Sequence, residues 1–276
     1  MPRMTHSPLL PALVLAITSA LVPFTVADPQ AMLLSQGCSL YNVTSTAAFL
    51  SALNSTFAEL RANLSAGGGF ATVFQPRIVA PTFALAQCRP YVTGRDCVAC
   101  FDAAAARVHP ACGAATGGRA ILDGCIVRYE SLPFFNETTG PGNRQICNGS
   151  TVAGGAFNGA VQALVSDLEI AVPRFPRLVA MAAGAGVYAM AQCVETVGAG
   201  GCAQCLEVAS SNIDLCPPNS DGRAVDVGCF MRYSDKPFFP ANETADLAPY
   251  LRSGTLISRS SRLMRPQTWR PTCALN

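Results

Sequence analysis

The sequence predicts an α+β chain built from two tandem, disulfide-stapled domains, each with two helices packed on an antiparallel sheet. Three observations carry that prediction. First, the segment Gly118-Arg119-Ala120 through Gly124-Cys125, Arg128-Tyr129 and Pro133-Phe134-Phe135-Asn136-Glu137-Thr138 recurs as Gly222-Arg223-Ala224 through Gly228-Cys229, Arg232-Tyr233, Pro237-Phe238-Phe239 and Asn242-Glu243-Thr244. Second, the cysteines recur with it. Cys88-x8-Cys97-x2-Cys100-x11-Cys112-x12-Cys125 is answered by Cys193-x8-Cys202-x2-Cys205-x10-Cys216-x12-Cys229, with Cys38 and Cys147 upstream of each set. Third, each unit carries an apolar stripe at helical spacing followed by short strand-like runs.

In chain order, residues 1–27 read as a secretory signal. Arg3 gives a basic start, 9–24 is an apolar run, and Thr25-Val26-Ala27 places small residues before Asp28. A retained anchor would need about 20 apolar residues, and Pro11 and Pro23 fall inside this short stretch. No second hydrophobic span follows, so the expected product is extracellular, with no transmembrane anchor. The first domain, 28–140, opens on Phe49, Leu53, Phe57, Leu60 and Leu64, a helical stripe with Thr44, Ser45 or Thr46 as N-cap candidates. A shorter helix is expected to start near Cys97, favoured by the alanine run 103–106. Ala120-Ile121-Leu122 and Cys125-Ile126-Val127-Arg128-Tyr129 read as strands. Gly140-Pro141-Gly142-Asn143 is the turn-rich junction. The second domain, 141–245, repeats the plan with Phe157, Val161, Leu164 and Leu168, a short helix from Cys202, and the strand Cys229-Phe230-Met231-Arg232-Tyr233. Residues 246–276, with Arg252, Arg259, Arg262, Arg265 and Arg270, read as a disordered basic extension or an irregular gene-model end.

Composition removes several function classes. Lys and Arg number 19 against 17 Asp and Glu, which leaves no basic stripe for nucleic acid, and 50% apolar residues exclude a disordered chain. In an oxidising compartment cysteines pair, and twelve of the 13 lie inside the repeats, six in each. The thirteenth, Cys273, stands in the tail, where it is expected as a free thiol, a mixed disulfide or a link to a second chain that would make a dimer. Zinc lacks ligands, because each repeat has one Cys-x2-Cys and the mature chain one histidine, His109. A redox Cys-x2-Cys expects a βαβ setting, and the C-terminal Cys273-Ala274-Leu275-Asn276 would not meet the cytosolic prenyl transferases. His109, before Pro110, reads as a turn residue, so no Ser/His/Asp or Cys/His constellation can be assembled. No catalytic residue, cofactor or metal is expected. Sequons at Asn42, Asn54, Asn63, Asn136, Asn148 and Asn242 predict some N-glycosylation.

The doubled Cys-x8-Cys-x2-Cys, each time followed by an Arg…Cys…Tyr segment, resembles the ginkbilobin-type (stress-antifungal) domain of plants over about residues 37–245. The tandem arrangement is similar to that of cysteine-rich repeat secretory proteins and of the ectodomains of cysteine-rich receptor-like kinases and plasmodesmata-located proteins. Spacing alone leaves the disulfide connectivity open. The resemblance implies a sheet of about five strands per domain and the pairs Cys38 with Cys112, Cys88 with Cys97, Cys100 with Cys125, Cys147 with Cys216, Cys193 with Cys202, and Cys205 with Cys229. It implies secretion to the apoplast.

It also implies mannose binding through an Asn after the first cysteine, an Arg before the last and a Glu after it. A carboxylate acceptor, a guanidinium donor and a two-way amide can together satisfy a sugar diol. Here the first domain offers Ser39, Arg119 and Glu130, and the second Asn148 and Arg223 with Ser234 in place of the Glu. Asn148 also heads a sequon, so the first domain is the expected sugar site. The competing use of Arg119 and Glu130 is an ion pair across two strands, and of Arg223 a turn cap. The expected function is non-enzymatic: weak binding of mannose-containing glycans in stress or antifungal defence. The alternative is a protein-interaction module docking to receptor ectodomains or cell-wall components.

Overall fold

The computed structural model describes residues 29–76, 81–92, 94–251 and the backbone of 269–271. The expected signal segment and Cys273 lie outside these residues. The first domain runs β1 (Leu33–Ser39), α1 (Thr46–Ser65), β2 (Phe70–Gln75), β3 (Thr82–Cys88), α2 (Gly94–Cys112), β4 (Gly117–Leu122) and β5 (Cys125–Glu130). The second repeats it as β6 (Arg144–Thr151), α3 (Gly155–Ala171), β7 (Val179–Gly184), β8 (Val187–Cys193), α4 (Gly198–Ile213), β9 (Asn219–Val225) and β10 (Cys229–Ser234). Every strand pairing is antiparallel, in the order β1-β4-β5-β3-β2 and, equivalently, β6-β9-β10-β8-β7.

Helix α1 forms because its stripe faces one way: Phe49, Leu53, Leu60 and Leu64 are buried, and Ser45 is the N-cap position. Residues at every second strand position, among them Ala84, Ala86, Ala120, Val127 and Tyr129, meet the helices. Ala189, Ala191, Ala224, Met231 and Tyr233 do the same in the second domain. Six disulfides then fix the inner helices. Cys88–Cys97, Cys100–Cys125 and Cys38–Cys112 tie α2 to β3, β5 and β1, and Cys193–Cys202, Cys205–Cys229 and Cys147–Cys216 repeat the pattern around α4. These are the pairs implied by the family resemblance.

The structure departs from the sequence reading in three places. Helices α2 and α4 start close to Cys97 and Cys202 but are nearly as long as α1 and α3, because Cys97, Cys100, Phe101, Ala104, Val108 and Cys112, like Cys202, Cys205, Leu206, Ala209 and Ile213, form a buried stripe in which cysteine and alanine stand for larger apolar residues. His109 and Pro110 lie in the last turn of α2 rather than in a turn outside it; Pro110 removes one backbone donor close to where Cys112 is pinned. Two pieces of the tail read as disordered have regular structure. Helix α5 (Ala248–Leu251) places Tyr250 against Phe175, with ring centroids 3.9 Å apart, and its Tyr250 carbonyl accepts from Arg174 at 3.1 Å. Strand β11 (Trp269–Pro271) pairs with β1, giving the first sheet a sixth strand on an edge that otherwise presents unpaired backbone groups. Neither piece is long enough to leave a periodic signal. Among the described residues no helix is long and apolar enough to cross a membrane.

The faces of the two sheets turned away from the helices pack on each other. Leu34, Leu85, Ile121, Ile126 and Phe134 of the first domain form one cluster with Met181, Met190, Val225, Phe230 and Phe239 of the second. Strands β4 and β5 are consequently buried at every position.

Candidate functional site

The residues expected to bind sugar all fall on, or at the margin of, these facing sheets. On the first sheet Phe74, Phe83, Glu130 and Gly117 stand opposite one another on successive strands. Ser39 extends the row on β1, its hydroxyl 2.9 Å from that of Thr116. The next row carries Leu85, Arg128, Arg119 and Gly37. The second sheet reproduces both rows, as Ala183, Tyr188, Ser234, Asp221 and Asn148, then Met181, Met190, Arg232, Arg223 and Ile146. Register therefore brings Ser39, Arg119 and Glu130 to one place, and Asn148, Arg223 and Ser234 to its equivalent.

Burial differs sharply between the two places. Arg119 and Glu130 are only 3% and 4% exposed. The interdomain linker closes over them: Arg119 donates to the Pro141 carbonyl, and Glu130 accepts from Arg128 at 3.2 Å while Glu137 takes the same guanidinium at 2.6 Å. Phe134 stacks under Arg128, 4.2 Å from its ring centroid. Glu130 is thus ion-paired with Arg128 of its own strand, and Arg119 attracts it from the neighbouring strand. Burial pushes Glu130 up to about 7, against the lowering pull of Arg128. Burial likewise raises Asp226 to about 6, although Val227 and Gly140 donate backbone bonds to it, and lowers Arg119 to about 10.

In the second domain the carboxylate has not been lost; it has moved one strand across. The Glu130 carboxylate occupies the space over Gly117, where a Cβ would fall 1.7 Å from Oε2. The matching positions are Ser234 and Asp221, and Asp221 binds Arg223 and also Arg232, at 3.0 Å, as Glu130 binds Arg128. Asp221 and Arg232 keep 15% side-chain exposure, and Asn148 beside them is exposed. Arg223 does not cap a turn. It reaches across the domain boundary to Asp123, with both guanidinium contacts at 2.7 Å. The repeat has Val227 where a partner for Arg119 would stand by symmetry, and the linker carbonyl takes that role.

Sequence reasoning missed the contacts that join the domains. Gln87 donates to the Cys193 carbonyl at 3.1 Å and Gln192 to the Cys88 carbonyl at 3.0 Å, a reciprocal pair. Arg89 donates to Gln192 at 3.1 Å and covers Phe230 at 3.9 Å. A signal was present in the identical Ala-Gln-Cys triplets ending at Cys88 and Cys193, and in the two-residue step from Arg128 to Glu130. The six sequon asparagines are all exposed. Among the described residues no group of three His, Cys, Asp or Glu is placed to hold a metal ion.

The model of the family described as salt stress response/antifungal matches residues 37–132 and again 146–236. The chain is 36% identical over 163 residues to cysteine-rich receptor-like protein kinase 2 of Arabidopsis thaliana, covering 56% of this chain and 25% of the kinase. It is 27% identical over 164 residues to an antimicrobial ginkbilobin-2-like protein of Castanea crenata, covering 57% of this chain and 68% of that one. The chain thus spans about a quarter of the length of the receptor-like kinases it matches. In fold it is similar to the tandem DUF26 ectodomain of the Arabidopsis thaliana cysteine-rich receptor-like protein PDLP8, with a TM-score of 0.64 at 22% identity over 74% of this chain and 98% of that one. With its domain found twice, each copy carrying the bridges and the Gly-Arg-Ala segment described above, this chain belongs to the salt stress response/antifungal (DUF26, ginkbilobin-type) family.

Proposed function

We propose that this is a non-enzymatic extracellular recognition protein of stress or antifungal defence, in which the two domains act as one rigid body that docks to a receptor ectodomain or cell-wall component. The observation that carries this reading is the burial of Arg119 and Glu130 under the chain's own linker, which leaves the first domain without the open acceptor and donor that a mannose site needs. The family membership and the ectodomain and antimicrobial relatives support the extracellular defence setting.

A second reading, residual sugar binding at the second domain, is favoured by one observation: Asn148 and Asp221 pair at the exposed end of one row and Arg232 reaches Asp221 from the next, so that amide, carboxylate and guanidinium stand together. A mannoside titration of the mature protein separates the two. The docking reading expects no binding that depends on Arg119 or Glu130. Binding abolished by Arg119→Ala with the fold intact would overturn it, and binding abolished by Asp221→Ala alone would establish the second reading instead.

A further inference from the structure

Phe74 and Phe83 stack face to face across β2 and β3, with centroids 4.4 Å apart, and Phe83 meets the edge of Phe135 at 6.0 Å. This aromatic shelf begins on a side chain that is 50% exposed, Phe74, and ends beside an exposed asparagine, Asn136. Asn136 sits on a turn closed by the Glu137 N–H donating to the Phe134 carbonyl at 2.9 Å, and it heads the sequon Asn136-Glu137-Thr138. Phe83 and Phe135 are partly buried against the interdomain cluster, so the cost in water falls on Phe74, whose outer ring face is open to C–H groups.

The second repeat serves as an internal control. There Tyr188, the counterpart of Phe83, meets the edge of Phe239 at 6.0 Å just as Phe83 meets Phe135, and the following segment runs on to the outer strand of the sheet, where the Ala245 N–H donates to the Met181 carbonyl at 2.8 Å. The counterpart of Phe74 is Ala183, which presents no ring. The second sequon is displaced by Pro240-Ala241 to Asn242, away from the aromatic pair. Both repeats lay the paired phenylalanines on their own sheet, but in the first the chain then turns into the linker and the sequon follows directly on Phe135.

We propose that Asn136 carries an N-linked glycan whose first N-acetylglucosamine units lie with their C–H faces on Phe74 and the exposed margins of Phe83 and Phe135, covering on the first domain a ring that the second replaces with Ala183. The sugar is a structural part of the domain surface, and the inference stands independently of the docking or sugar-binding readings. Glycopeptide mass spectrometry of the secreted protein is expected to find Asn136 occupied, and the protein trimmed by an endoglycosidase to single N-acetylglucosamines to keep its Tm. Asn136→Gln is expected to lower Tm by a few degrees and raise binding of an apolar dye, whereas Asn63→Gln, on the outer face of α1, changes neither. In the Phe83→Ala background the effect of Asn136→Gln should vanish. An unoccupied Asn136 overturns the proposal, as does an Asn136→Gln effect equal in size with and without Phe83. If Asn136→Gln is not secreted, amidase removal of the glycans from folded wild type and from folded Asn63→Gln gives the same comparison: no change in Tm or dye binding overturns the proposal.

Discussion

Asp123 and Arg223 are each buried in the boundary between domains, and each satisfies the other with two charge-assisted hydrogen bonds. Removing one partner leaves a guanidinium in a dry site with only Asp221 to balance it, so Asp123→Ala is expected to cost about 3 kcal/mol, read from chemical denaturation of the intact protein. Glu130 and Asp226 make the opposite kind of statement. Burial holds them at about 7 and about 6, above ordinary values of 4.5 and 3.8. A carboxyl whose pKa is raised on folding stabilises most when both states are protonated, below about pH 4, and that contribution is lost as pH rises towards 7. The protein should therefore melt at a higher temperature at pH 5 than at pH 8, by roughly 5 °C if the pair contributes on the order of 2 kcal/mol. Glu130→Gln should flatten that slope; a thermal melt series across pH reads both effects, and a flat wild-type profile would contradict the assignment. None of this was legible in the sequence. Arg119 and Glu130 were found as residues, but a sequence shows which face a side chain takes, not what comes to lie on that face.

Among the elements, the helices were the most legible, since Phe49, Leu53, Leu60 and Leu64 write their burial directly into the spacing. Strands β4 and β5 were legible as apolar runs, but the alternation that would mark an outer polar face is missing because both faces are covered. The linker is the element least visible beforehand. It read only as a turn-rich junction, yet Phe134 enters the interdomain cluster and Thr138 lies against Gly201 and Gly228 so closely that a Cβ at Gly228 would stand 2.3 Å from the Thr138 carbonyl oxygen. Gly228→Ala should therefore force the linker off the second domain. Its expected signature is faster proteolysis between residues 131 and 143 with six disulfides still formed, and unchanged digestion there would show that the linker yields without cost.

The whole molecule is organised as two copies of one domain related by an approximate two-fold relationship, visible in the reciprocal Gln87 and Gln192 bonds and in equivalent apolar residues facing each other. Such self-complementary contact is the usual grammar of a homodimer. A first domain produced alone, residues 29–132, would expose Leu85, Ile121 and Ile126, and is expected to associate through this face at micromolar concentration where the full chain carrying Cys273→Ser does not; analytical ultracentrifugation of both reads the difference. The reciprocal glutamines then have a kinetic meaning. In two separate subunits that contact would dissolve on dilution, whereas here the linker holds the halves at a fixed high local concentration, so the assembled pair survives however sparse the protein becomes in the fluid around the cell.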